Sequence, residues 1–143
     1  MIKDDKAFRT RRRVILIQMM YSIIITNAEE QANFQYEIAV NASNVSNYKS
    51  PEDLEEDAAI LIKILDKLSI IDEMISVNCK AISRLSKVVL SILRVGVYEL
   101  KYCEHNHSIG NIIKDYLNIT MAFDHGTELG FINGILDKIY LSN

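Results

Sequence analysis

The chain has 143 residues, 49% of them apolar and 24% charged, enough for one globular domain with a real core. One proline, five glycines and no tryptophan exclude collagen-like, linker-rich and many-turned all-β architectures, which need frequent residues of special backbone geometry. The net charge of −3 hides an asymmetry. Residues 1–13 carry six Lys or Arg against two Asp, a net +4 that leaves −7 for the remaining body.

A local arginine cluster is what phosphate binding requires and what whole-chain charge conceals. A solvated terminus is the alternative reading of the same residues, and residues 1–10 are expected to form a flexible basic arm. The apolar run VILIQMMYSIII, residues 14–25, then follows the arginines. It is too short to span a bilayer, which needs ~20 residues. Asp4, Asp5 and Gln18 also speak against an export signal. Wound as a helix, Arg11, Gln18, Ser22 and Glu29 fall within about 20° of one line, so the first helix is expected to be nearly buried with one polar stripe. A weaker helical stretch near Phe34 to Ala42 and an Asn/Ser-rich loop from Asn41 to Lys49 come next.

At Ser50, Pro51, Glu52 and Asp53 the signals for a helix start coincide: a Ser cap, Pro at the first helical position, and an acid three residues after the cap. Leu54, Ala58, Leu61, Leu65 and Leu68, continued by Ile71 and Ile75, predict one long amphipathic helix. The five acids of PEDLEED read as charge favoured by the helix dipole, since the run lacks the glycine of a calcium loop. From Ser83 to Glu104 a central helix is predicted, apolar except for Lys87, Ser91, Arg94, Tyr98 and Lys101. Two more helices are predicted near Ser108 to Phe123 and Thr127 to Tyr140. The pattern describes an all-α, compact, single-domain bundle of about six to seven helices over residues 1–143.

Catalytic motifs are missing: there is no phosphate-cradling glycine loop, no GxSxG, no HExxH and no paired CxxC, and no cofactor is implied. Cys79 and Cys103 are too few for a disulfide framework and suit a reducing cytoplasm. Cys103, Glu104, His105 and His107 include soft ligands, but C-x-H-x-H is not a structural zinc spacing, and a polar turn is expected there rather than a metal. Phe123 and Phe131 flank DHGTELG, and Thr127, Phe131, Gly134 and Lys138 share a helix face. Aromatic rings beside basic groups can stack unpaired bases, or they can simply be core. Asn133-Gly134 interrupts the apolar run Leu129, Ile132, Ile135, Leu136 and Ile139, so either the helix breaks there or the glycine admits a close neighbour.

Three segments resemble the bacterial NusB family: RRRVILIQMMYS at 11–22, ILRVGVYEL at 92–100 and FINGILDKI at 131–139, in family order and spacing. The resemblance implies an all-α fold without catalysis. It also implies binding of the boxA element of ribosomal RNA leader transcripts, together with ribosomal protein S10, in an antitermination complex on RNA polymerase. By position it assigns RNA contact to Arg9, Arg11, Arg12, Arg13, Gln18, Tyr21, Phe123 and Phe131, and it keeps Asn133-Gly134 inside a helix. The family's charged pair early in the central helix falls on Val89 and Leu90, so S10 docking there is expected to be more apolar than usual. The stretch IKDYLNITM at 113–121, and Gly130 before Phe131 in place of a basic residue, are further departures. Outside the resemblance, the arginines also suit a protein-only helical adaptor that grips an acidic partner. Monomer and homodimer both remain open, and no membrane association is expected.

Overall fold

The computed structural model describes residues 6–26, 51–105, 107–123 and 125–142. Among these residues there are six α-helices, two short 3-10 turns and no strand, as the composition and periodicity require. The chain is organised as two compact units, residues 1–66 and 67–143. The expected helical stretch near Phe34 to Ala42, the loop after it and the Ser50 cap lie outside the described residues.

The first unit contains α1 (Lys6–Thr26) and α2 (Pro51–Asp66), which pack against each other. Helix α1 starts at Lys6, so half of the expected flexible arm is helical. Ile15, Leu16, Ile17, Met19, Met20 and Ile23 are buried along it, which bears out a nearly buried helix. Gln18, Tyr21 and Ser22 interrupt that burial along one side. Helix α2 begins at the predicted proline. Its buried line, however, runs through Asp57, Leu61 and Ile64, and is rotated from the expected line, leaving Ala58 and Leu65 half-buried. A carboxylate therefore stands in an apolar row.

The expected long helix is two helices. The α-helical pattern stops at Asp66 and resumes as α3 (Leu68–Val77), with Lys67 at φ −102° and ψ 6°. No proline or glycine stands at the break, so nothing in the local sequence marks it.

The second unit contains α3, α4 (Lys87–Tyr102), α5 (Ile109–Ala122) and α6 (Leu129–Leu141). Helices α4, α5 and α6 pack against one another, and α3 packs on α4 and α6. Ser86 caps α4 by accepting a hydrogen bond from the Val89 amide at 3.1 Å. That cap starts the helix later than the predicted Ser83, after a 3-10 turn at Ile82–Arg84. Ser108 caps α5 in the same way, accepting from the Asn111 amide at 3.2 Å.

Nine of the sixteen α4 residues are buried, including Ser91 and Arg94 from the predicted polar stripe. Arg94 donates two hydrogen bonds to Asp72 of α3, at 2.9 and 2.8 Å, a bidentate pair that makes its burial tolerable. Ser91 donates to the Lys87 carbonyl at 2.6 Å.

At Gly96, α4 comes close to its neighbours. A β-carbon there would lie 3.3 Å from Leu136 Cδ2 and 3.6 Å from Tyr116 Cδ1. The fully buried Tyr116 turns its hydroxyl to Glu99, donating at 2.6 Å. Helix α6 runs unbroken through Asn133-Gly134, and a β-carbon at Gly134 would meet nothing within 4 Å. Neither a break nor a close neighbour explains that glycine. Among the described residues no helix is long and apolar enough to cross a membrane.

Candidate nucleic-acid interface

Consecutive residues of an α-helix point about 100° apart, so Arg11, Arg12 and Arg13 cannot share a face. The structure bears out that geometry. Arg13 is only 4% exposed, and a phosphate in solvent does not reach it without the helix moving. Arg12 turns toward α2: its Nε donates to Asp57 Oδ1 at 2.6 Å and its Nη2 to Glu56 Oε2 at 2.7 Å. Arg11 makes a looser pair, with Nη2 3.7 Å from Asp53 Oδ2. The guanidinium groups of Arg11 and Arg12 also lie over the Phe8 ring, 5.2 and 4.8 Å from its centroid, a cation–π arrangement.

Three of the acids read as helix-dipole charge are thus ion-pair partners for arginine. The spacing 53, 56, 57 puts them on one side of α2 facing α1, a signal present in the sequence. What sequence reading lacked was which cation they would meet. Asp57 is 0% exposed, and its Oδ2 has no hydrogen-bond partner. Burial pushes the Asp57 pKa above the ordinary carboxylate value despite the opposing hydrogen bond from Arg12. Burial works against the charge on Arg12 as well, but its hydrogen bonds to Glu56 and Asp57 outweigh it and hold the pKa above the usual arginine value.

Further along α1, Gln18 is half-buried and Tyr21 is 37% exposed. Arg9 is half-buried. In the second unit Phe131 is 36% exposed on α6, although Ile132, Ile135, Leu136 and Ile139 of the same helix are buried. Phe123, at the C-terminal end of α5, is half-buried, with its amide bonded to the Ile119 carbonyl at 3.0 Å.

Val89, expected at a docking face, is a core residue at 2% exposure, because the Ser86 cap turns it inward on the first turn of α4. Its neighbour Leu90 is half-buried. No group of three or more His, Cys, Asp or Glu side chains among the described residues is placed to hold a metal ion. His105 instead places Nε2 3.2 Å from the Leu100 carbonyl.

Fold and side chains together define an all-helical protein whose first helix carries arginines and whose last helix leaves an aromatic ring at the surface. The NusB family model matches residues 10–141, and the chain belongs to that family. Proteins called transcription antitermination protein NusB are similar along most of it. The one from Clostridium botulinum is 40% identical over 102 residues, covering 66% of this chain and 74% of its own. Those from Bacillus cereus and Syntrophus aciditrophicus are each 33% identical, covering 92% and 96% of this chain and 95% and 84% of theirs. No solved structure matches.

Proposed function

We propose that the protein is a cytoplasmic transcription antitermination factor that binds single-stranded boxA-type RNA of ribosomal RNA leader transcripts. It acts with ribosomal protein S10 in the antitermination complex on RNA polymerase. The observation that carries this reading is Phe131, a large ring left 36% exposed on α6 next to the buried Ile132. Burial of an aromatic ring is favourable, so a ring at the surface gains free energy when a flat partner stacks on it. An unpaired base supplies the matching face, and such stacking is sequence-tolerant.

In this role Phe131 and Phe123 of the second unit take bases, and Tyr21 and Gln18 of the first contact RNA from α1. Arg9 draws in phosphate, while Arg11, whose Nη1 and Nη2 are buried, joins Arg12 and Arg13 in holding α1 in place. S10 docks at the start of α4 through Leu90, with Val89 as the buried support beneath it.

The test is binding of a boxA-containing single-stranded RNA, and of a scrambled one, by the full chain with and without its own S10. Each of the two ligands is expected to tighten the other by an equal factor. With Arg9 alone among these arginines engaging phosphate, log affinity should fall against log salt with a slope near −0.7, at ~0.7 per phosphate. Equal, weak binding of both RNAs in the presence of S10 would exclude this function.

A further inference from the structure

The carboxylates around Arg12 are not equivalent. Asp57 belongs to the buried line of α2 with Leu61 and Ile64, and is 0% exposed. Glu56, 43% exposed at the side-chain level, sits on the rim of the same pair. Arg12 is held by Asp57 at Nε and lies over the Phe8 ring, so its guanidinium has a fixed position. An anion that approaches Nη2 from solvent meets Glu56 Oε2 already 2.7 Å from that nitrogen.

Resting on the RNA-binding reading above, we propose that Glu56 is an internal competitor of the RNA backbone. Its carboxylate fills the phosphate position at Arg12 and sets the affinity of the arginine-bearing helix below what its charge would give. Asp57 is the bolt and Glu56 the exchangeable group. A phosphate reaches Arg12 only by displacing Glu56, and otherwise faces an added negative charge at close range. Electrostatic opposition of this kind is strongest at low salt and fades as the Debye length shrinks.

The experiment measures binding of the boxA-containing RNA by the full chain and by Glu56→Gln, across a salt series. Removing the carboxylate is expected to tighten binding about two- to fivefold at low salt, the range that exposed ion pairs command. The gain should shrink as salt rises. Glu56→Ala should show the same gain, which assigns it to the lost charge and not to a new bond from the glutamine amide. Glu55→Gln makes the same charge change at an exposed position of the same helix and should leave affinity unaltered. If the parent binds RNA and both Glu56 variants, folded by their melting curves, bind no tighter, the competitor role is wrong and the RNA reading stands. An equal gain in Glu55→Gln would also overturn it, as general charge would explain both. If neither parent nor variants bind the RNA at any salt, the function proposed above fails and this inference falls with it.

Discussion

Both units hold an arginine–carboxylate pair, Arg12–Asp57 in the first and Arg94–Asp72 in the second, but the contacts between their longer helices differ. Helices α1 and α2 meet through arginines and carboxylates set among apolar side chains, with Arg12, Glu56 and Asp57 at bonding distance. Helices α4, α5 and α6 meet through an apolar core in which Gly96 lets Leu136 and Tyr116 come close. Close packing fails gradually, because neighbouring side chains can shift by fractions of an ångström. A buried charge pair fails abruptly, because the remaining member has no water to turn to.

The largest expected effect follows from that contrast. Arg12→Ala strands the fully buried Asp57 and should cost about 3 kcal/mol in denaturant unfolding, the scale for breaking a buried pair. An unfolding free energy within error of the parent would mean that the pair contributes nothing to the first unit. Gly96→Leu is the counterpart in the second unit. Forcing a branched side chain into a gap where even a β-carbon is crowded should cost ~1 to 3 kcal/mol. Full stability in that variant would show that the α4 to α6 contact is looser than its distances.

Phe131→Ala separates binding from folding. It should weaken RNA binding by ~1 to 3 kcal/mol, with little change in melting temperature for a ring that is already partly exposed. Unaltered affinity in the folded variant would remove the ring from the site. Gly134→Ala should do the reverse of Gly96→Leu and stabilise the protein by ~0.5 to 1 kcal/mol, since the position is helical and open. A loss of stability would place an unseen neighbour there.

The smallest effect is a dependence on pH. The folded chain binds the Asp57 proton more tightly than the unfolded chain, because burial raises its pKa. That contribution favours the folded state below the ordinary carboxylate range and is lost as pH rises through the folded pKa, the reverse of an exposed salt-bridged acid. The stability difference between the parent and Asp57→Asn should therefore decline as pH rises from the acid side toward neutrality. A difference that grew over this window would reverse the assigned direction.

Much of this architecture was legible in the sequence. The apolar periodicity of residues 108–123 and 127–140 placed α5 and α6 within a few residues, and Pro51 marked the start of α2. The break at Lys67 was not legible, since no proline or glycine stands there and the apolar spacing runs on. The site was legible by residue type and less so by role. Arg12 and Arg13 are arginines adjacent to Arg11, but helical geometry turns them inward, and only the fold says which acids they meet. Val89 stands in a position charged in the family, yet α4 directs it into the core.

The Arg12 to Asp57 contact joins residues 45 apart in the chain, whereas Arg94 to Asp72 joins residues 22 apart and Tyr116 to Glu99 residues 17 apart. Closing the longer loop costs a little under ~1 kcal/mol more chain entropy than closing the shortest, at about 0.6 kcal/mol per doubling. The order of synthesis adds to that delay. Helix α1 is made first, yet its arginine has no Asp57 to bond until α2 has been made. During that interval the residues of α1 that end up buried, among them Ile15, Leu16, Ile17, Met19 and Met20, lack α2 as a packing partner. The nascent chain thus carries the apolar run of α1 before α2 exists to cover it, and the basic residues at the start of that helix favour its hydration in the interval.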